Sequence, residues 1–141
     1  MKRHTLSRSE MRNYQEDPGK VAERIVEGAY ANLSRFGVEN FDLSSDEQLA
    51  EVKSTQTQLS NGNAGRFRLW KDQHEKLLRA DREGTARYVF VLVDVDDRPL
   101  RARMVQRVPA DVGNQIGARG GWNASGHPSG RQHKLPIEAV F

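Results

Sequence analysis

The longest unbroken apolar run in this chain of 141 residues is Val89–Val93, or six residues when Tyr88 is included. A strand made only of apolar residues is typical of one that is buried on both faces, so it needs a covering layer on each side. We therefore expect Arg87–Asp94 to be the central strand of a sheet flanked by helices. The run is far shorter than the roughly 20 residues that a membrane-spanning helix needs, so no membrane segment is expected.

The N-terminal third predicts an arm and a capped helix. Asp17 is a favourable helix N-cap and precedes Pro18, which suits the first helical position. Apolar residues then recur at three- and four-residue steps until Gly37, so we expect one helix that ends just before this glycine. Residues 1–16 have no apolar period, and we expect them to form a mobile basic arm.

The rest of the chain predicts a single domain over residues 17–141. Residues 117–134 form a predicted loop that is basic and rich in Gly and Ser, and the apolar end LPIEAVF is expected to dock on the core. The succession of elements indicates a mixed central β-sheet flanked by helices, of the α/β or α+β class. The predicted elements are strands over Phe41–Ser45, Gln48–Thr55 and Leu100–Val108, and helices over Leu69–Arg82 and Pro109–Ile116.

The composition restricts both the chemistry and the partners of the protein. The chain has no cysteine, which excludes disulfides, thiolate metal sites and cysteine nucleophiles. Residues 98–141 hold seven Lys or Arg against two acidic residues, and Arg is the residue type that best matches phosphate. A polyanion partner is therefore expected, with a solvated basic face as the alternative. No apolar stretch follows the basic start of the chain, so we expect no secretory signal and a cytoplasmic location.

The predicted hairpin places two acidic residues opposite each other. A symmetric turn pairs Leu43 with Ala50, and the same register pairs Asp42 with Glu51. Side chains alternate along a strand, so Lys53 shares a face with these two carboxylates. Opposed carboxylates are destabilising in a purely structural hairpin. The pairing therefore indicates a cation between them, and a register slipped by one residue still leaves the two carboxylates within reach of a shared ion.

Two oxygen ligands from adjacent strands, completed by water and substrate phosphate, are typical of Mg²⁺ at phosphoryl-transfer sites. Asp42 and Glu51 are thus the predicted ligands of Mg²⁺ or Mn²⁺. Lys53 is expected beside the attacking water, where it orients or helps to deprotonate that water or neutralises the developing charge. A third carboxylate is expected from the first helix, and Glu23 is preferred over Glu27 because it lies nearer to the predicted sheet edge.

Four residues in this order carry a family resemblance. They are Glu23 in GKVAERIVE, Asp42 in NFDLSS, and Glu51 and Lys53 in LAEVKST. With the helix and buried strand that follow, this arrangement resembles the PD-(D/E)XK nuclease superfamily over about residues 18–95. The GKVAER segment and the small basic chain are also similar to archaeal Holliday junction resolvases. The resemblance implies a restriction-endonuclease-like α/β fold and a homodimeric Mg²⁺-dependent DNA endonuclease, with Asp42 and Glu51 binding metal, Lys53 catalytic and Glu23 supporting.

Two further groups of residues are candidates for nucleic-acid contact. Arg66, Arg68 and Lys71 flank a glycine-containing loop, and the alternative for them is a solvated helix start. Gln73 is predicted on the inward stripe of the second helix, where it holds a water or phosphate or is a satisfied buried amide. Trp122 in the Gly/Ser-rich loop stacks on a base or anchors the loop in the core. The predicted phosphate contacts of the same region are Arg119, Arg131 and Lys134.

Two other classes of function stay open at the level of sequence. A catalytically inactive module of the same fold would bind nucleic acid in a salt-sensitive way without cleaving it. A structural or assembly protein with a charged edge hairpin would bind neither metal nor DNA. The combination of the carboxylates, the lysine and the surrounding elements favours the nuclease.

Overall fold

The computed structural model of the protein describes residues 1–30, 43–44 and 48–141. The strands within these residues are β1 (Lys2–Thr5), β2 (Leu43–Ser44), β3 (Gln48–Gln56), β4 (Arg66–Trp70), β5 (Thr85–Asp94), β6 (Arg101–Arg107) and β7 (Gln132–Pro136). The helices are α1 (Arg8–Glu16), α2 (Pro18–Ala29), α3 (Lys71–Glu83) and α4 (Pro109–Ala118). The main sheet has the order β1-β6-β5-β3-β2, while β4 and β7 form a separate two-stranded ribbon. Because β3 and β5 are parallel and their neighbours antiparallel, the sheet is mixed, and the predicted α/β fold is confirmed.

Strand β5 is the central strand that the apolar run predicts. Each residue from 88 to 93 is at most 1 % exposed. Val89 and Val91 belong to the core on the side of α1 and α2. Tyr88 and Phe90 belong to a second core, on the side of α3, α4 and the ribbon. Burial of one such side chain contributes about 1.5 to 3 kcal/mol to stability. Because its alternate side chains enter the core on both faces, this strand joins the two halves of the core.

The β4–β7 ribbon is not predicted by the sequence pattern. Its alternate residues Phe67, Leu69 and Leu135 are fully buried against the second core, the period-two pattern of a half-buried strand. The predicted helix start at Leu69 is therefore wrong, because Leu69 lies within β4, which ends at Trp70, and α3 begins at Lys71. Periodicity alone does not separate the last apolar residues of a strand from the first turn of a helix that follows directly.

The first 16 residues are ordered elements, so the prediction of a mobile arm is wrong. Strand β1 pairs with β6 at the sheet edge. Helix α1 begins with a capping box in which Ser7 and Glu10 each bind the other's backbone N–H. Leu6 and Tyr14 are buried in the core. Two apolar anchors attach this segment to the sheet although it shows no extended apolar period.

Helix α2 has the predicted start and an earlier end. Asp17 accepts a hydrogen bond from the backbone N–H of Lys20, as an N-cap does. The helix ends at Ala29, and Tyr30 has an extended backbone. Gly28 in the last turn lowers the helix propensity there. The remaining residues of the predicted helix, up to Gly37, lie outside the described residues.

The C-terminal elements agree with the sequence in kind. Helix α4 starts at Pro109 as predicted and extends to Ala118, two residues beyond the predicted end. The apolar end of the chain docks on the second core, with Leu135 and Val140 buried. None of the described helices combines the length and the hydropathy that a bilayer crossing requires.

Candidate active site

Three polar side chains meet on the face of the sheet that carries α3. The Nζ atom of Lys53 lies 3.0 Å from Oε1 of Glu51. The same ammonium donates a hydrogen bond of 2.9 Å to Oε1 of Gln73. The ammonium thus has an ion-pair partner in Glu51 and a hydrogen-bond acceptor in Gln73. The lysine is thereby held at a fixed position, while an ammonium with three N–H donors can still serve a further acceptor.

Strand alternation and a sheet–helix contact build this arrangement. Glu51 and Lys53 lie two residues apart on β3 and are opposite Tyr88 and Phe90 of the parallel strand β5. They therefore project toward the second core, while Ala50 and Val52 pack on the other face. Gln73 stands in the first turn of α3. Because α3 follows directly after β4, the ribbon fixes where this helix begins and so where the amide lies.

Burial makes this ion pair unlike a surface salt bridge. The side chains of Glu51 and Lys53 are only 4 % and 15 % exposed. A carboxylate buried to this degree loses most of its hydration, and a hydrogen-bonded cation compensates for part of that loss. The lysine side chain is less completely buried than that of its partner. The site thus combines a buried carboxylate with a lysine that is partly exposed.

Tyr88 is the direct strand neighbour of Glu51, and it is hydrogen-bonded to His74 of α3. The Tyr88 hydroxyl and Nδ1 of His74 lie 2.8 Å apart in a hydrogen bond, and the two rings stack. Burial raises the pKa of Tyr88, and the nearby charge of Glu51 raises it further, so the phenol stays neutral. Burial lowers the pKa of His74, with a smaller opposing effect of Glu75. Two neutral polar side chains therefore lie behind the carboxylate.

The predicted carboxylates other than Glu51 are not brought into this cluster by the described residues. The pairing of Leu43 with Ala50 confirms the predicted hairpin register, but Asp42 lies outside the described residues. Helix α2 packs on the opposite face of the sheet from Glu51. Glu23 and Glu27 are half-buried residues of this helix. The preference for Glu23 stays a prediction.

The donor chemistry of the site suits a hard divalent cation. Among the residues that the structure describes, no group of three or more His, Cys, Asp or Glu side chains is placed to hold a metal ion. Glu51 nevertheless offers carboxylate oxygen in a buried position, the ligand type that Mg²⁺ prefers. Mg²⁺ is often held by one or two carboxylates with waters and substrate oxygens. Glu51 with the predicted ligand Asp42 fits this pattern.

Most of the basic residues predicted to contact nucleic acid lie on or beside the ribbon. Arg66 and Arg68 of β4 and Lys134 of β7 are all exposed, and Arg68 is the direct cross-strand neighbour of Lys134. Arg68 donates a hydrogen bond of 2.6 Å to Gln132 and lies over the ring of Trp70. We call the outward side of β4 and β7 the basic ribbon face. Lys71 and Arg131 lie at its end, where the Lys71 N–H donates to the Arg131 carbonyl.

Two loop residues have different surroundings from these. Arg119 is exposed and is hydrogen-bonded to Gln115 on α4, away from the ribbon strands. The ring of Trp122 lies against His74 and His133 and packs on the second core. The packing of Trp122 favours the alternative of a core anchor over base stacking. His133 helps to fix this loop, since its Nδ1–H donates to the Gly121 carbonyl at 2.7 Å.

Sequence reasoning misses the support that Tyr88 and His74 give to the site. In the sequence Tyr88 reads as part of the apolar run, although it alone in that run has a hydroxyl, and buried tyrosines usually direct this group at a partner. His74 falls on the inward stripe of the helix, and nothing in the sequence names its partner. The only available signal is that two polar groups point into the same core.

The comparison with known proteins finds one family match. A model of the PD-(D/E)XK nuclease superfamily domain matches residues 8–141. The match includes β3, α3 and the ribbon, and so extends well beyond the segment that carries the sequence resemblance. No curated protein and no solved structure matches significantly. The similarity to archaeal Holliday junction resolvases is therefore not shown.

Proposed function

Because the chain belongs to the PD-(D/E)XK nuclease superfamily, we propose that it is a metal-dependent DNA endonuclease that hydrolyses phosphodiester bonds. One observation carries the proposal. The ammonium of Lys53 is held between the buried Glu51 carboxylate, its ion-pair partner at 3.0 Å, and the Gln73 amide oxygen, which accepts its hydrogen bond at 2.9 Å. A cation held in one position by groups from two elements is suited to stabilise the charge that develops on a transferring phosphoryl group.

In this proposal Lys53 acts on the attacking water and on the phosphate. Its ammonium is directed at the water or at a non-bridging phosphate oxygen, where it stabilises the charge that develops in the transition state. Gln73 and Glu51 hold the lysine in one position, which reduces the reorganisation needed during the reaction. When bound by Glu51 and Asp42, Mg²⁺ or Mn²⁺ supplies Lewis-acid activation of the phosphodiester. Glu23 is the proposed supporting carboxylate.

The basic ribbon face is the proposed contact surface for the DNA backbone. Arg66, Arg68 and Lys134 are exposed there, and the strands β4 and β7 contain no acidic residue. Direct neighbours of like charge, such as Arg68 and Lys134, are unfavourable unless a polyanion faces them. The ribbon also leads directly into α3 and Gln73. A backbone bound on this face therefore runs toward the catalytic lysine. A symmetric homodimer is proposed because it offers one such site for each strand of a duplex.

The test is cleavage of supercoiled plasmid and of a four-way junction, with and without Mg²⁺ or Mn²⁺. Parent protein is compared with Glu51→Gln and Lys53→Gln, and with Lys20→Gln as a control on the exposed side of α2. We expect metal-dependent cleavage by the parent and the control. For either site variant we expect a loss of at least about 10²-fold, the usual effect of removing one charged transition-state contact.

Circular dichroism melting shows whether each variant is folded at the assay temperature. Equal cleavage by folded Glu51→Gln and Lys53→Gln would remove this site from the proposal. Salt-sensitive DNA binding by the parent without metal-dependent cleavage would instead favour the inactive binding module, for which the basic ribbon face is the supporting observation.

A further inference from the structure

A second cluster of cations lies at the opposite edge of the sheet from β2. A cavity of about 350 Å³ there is lined by Arg3 of β1, by Arg101 and Arg103 of β6, and by Asp94 and Asp97 at the end of β5 and in the turn after it. The other lining residues are His4, Thr5 and Ala102. None of the residues assigned to catalysis or to the basic ribbon face lines this cavity.

The arginines of this cavity face each other across neighbouring strands. Arg3 is the direct cross-strand neighbour of Arg103. In the part of the chain that the structure describes, Arg3, Arg101 and Arg103 form no ion pair within 4.0 Å. Like charges directly opposite on neighbouring strands are destabilising. Their placement therefore leaves a position of positive potential that an anion would stabilise.

The other charged groups at the cavity reduce this potential. Asp94 is the direct cross-strand neighbour of Arg101, and the guanidinium carbon of Arg103 lies 5.8 Å from the centre of the Phe141 ring. His4 is bound to the Glu10 carboxylate at 2.9 Å. Asp94 accepts a hydrogen bond from the N–H of Asp96 and so takes part in the turn. Three guanidinium groups thus face two carboxylates. Guanidinium groups bind the oxygens of phosphate through paired N–H donors.

The cavity is lined by other residues than those of the candidate active site. Arg103 is opposite Leu92, and Lys53 is opposite Phe90, so Arg103 and Lys53 project from the same face of the sheet. They are two strands and two residues apart, which corresponds to about 12 Å between Cα atoms at the usual spacings. This distance is about that of three to four base-pair steps of 3.4 Å.

We propose that Arg3, Arg101 and Arg103 form a second phosphate-binding site, separate from the Glu51–Lys53 cluster. The chemistry that it recognises is a phosphate group with at least two free oxygens. Two sources offer that group, a backbone phosphate of bound nucleic acid and free phosphate or a phosphomonoester. The proposal does not depend on cleavage, because binding is measured directly.

The experiment is a titration of the full chain with inorganic phosphate at constant ionic strength, followed through the arginine side-chain N–H signals in ¹⁵N spectra. The parent is compared with Arg3→Gln/Arg103→Gln and with Arg79→Gln, which removes an exposed arginine on α3 away from the cavity. We expect saturable shifts at the three cavity arginines in the parent and in the control. In the double variant we expect an apparent Kd at least tenfold higher. Non-saturable shifts of the same size at Arg79 and at the cavity arginines would overturn the proposal.

A DNA-binding titration against salt identifies the source of the phosphate. The slope of log K against log salt falls by about 0.9 for each backbone phosphate that the protein no longer neutralises. A reduction of this size in Arg3→Gln/Arg103→Gln but not in Arg79→Gln assigns the site to the nucleic-acid backbone. An unchanged slope together with saturable phosphate binding assigns it to free phosphate or a phosphomonoester. The phosphate titration alone decides whether the site exists, and its result is independent of whether the protein cleaves DNA.

Discussion

Replacement of Lys53 by Met is expected to destabilise the fold through the carboxylate that it leaves behind. Methionine keeps most of the unbranched stem of lysine and removes the ammonium. Glu51 then keeps a buried charge, with a side chain only 4 % exposed, without the cation that lies 3.0 Å away in the parent. A second substitution, Glu51→Gln, removes that charge while keeping the shape of the side chain.

The magnitude follows from the burial of the pair. Removal of one partner of a buried ion pair costs about 3 to 5 kcal/mol, whereas replacement of both partners by neutral groups is often close to neutral. Because the Lys53 side chain is 15 % exposed, we expect the lower end, about 3 kcal/mol, for Lys53→Met. For the double variant Glu51→Gln/Lys53→Met we expect a decrease in stability of about 1 kcal/mol or less. The magnitude of the coupling in a double-mutant cycle is then about 2 kcal/mol plus the cost of Glu51→Gln alone.

Urea unfolding of the parent, both single variants and the double variant measures this coupling. For a protein of this size a urea dependence of about 1 to 3 kcal/mol/M converts a decrease of about 3 kcal/mol into a midpoint lower by about 1 to 3 M. A Lys53→Met variant within about 0.5 kcal/mol of the parent would refute the reasoning. So would a double variant whose destabilisation equals the sum of the two single effects.

Three further predictions follow from other parts of the structure. The pKa of His74 is lowered in the folded protein, so the unfolded chain takes up a proton at this residue more readily, and stability is lost as the pH falls below about 6.5. Urea unfolding at about pH 7.5 and about pH 5, on either side of the ordinary histidine pKa, measures this loss. The free energy of unfolding should decrease less between these two pH values for His74→Gln than for the parent. A Cβ atom at Gly65 would lie 1.9 Å from the Gln56 carbonyl oxygen, so Gly65→Ala should cost about 1 to 3 kcal/mol. In the control Gly28→Ala the added Cβ atom meets open space on a helix, and the free energy of unfolding should rise by up to about 1 kcal/mol. The thermal midpoints of the two variants measure these effects. Equal midpoints would contradict the close approach at Gly65. If the basic ribbon face binds the DNA backbone, Arg68→Gln/Lys134→Gln should reduce the salt slope of binding by about 0.9 for each phosphate that is no longer neutralised, and an unchanged slope would place the DNA elsewhere.

The strongest local patterns are sufficient to predict the centre of the fold. The apolar run around Val91 specifies a strand buried on both faces, and Asp17 with Pro18 specifies a helix start. Strand alternation also places Glu51 and Lys53 on one face without any knowledge of the tertiary structure. These features depend on neighbours in sequence, and local periodicity and capping report on such neighbours directly.

Features that depend on distant partners are not available from the sequence. Leu69 resembles the start of a helix because its strand partner, His133, is 64 residues further along the chain. The N-terminal segment resembles an arm because β1 becomes a strand only by pairing with β6. Short segments of this kind have little intrinsic preference, and tertiary contacts decide their structure.

The same division applies to the candidate site. The sequence by itself determined the residue types and their spacing, with a carboxylate and a lysine two residues apart on one strand face. Only the tertiary structure decided that the Gln73 amide meets the lysine, that Tyr88 and His74 lie behind the carboxylate, and that basic residues from β4 and β7 share one surface. Alternation is a property of the local backbone, whereas the partners of a side chain come from elements that pack together only when the whole chain buries its core.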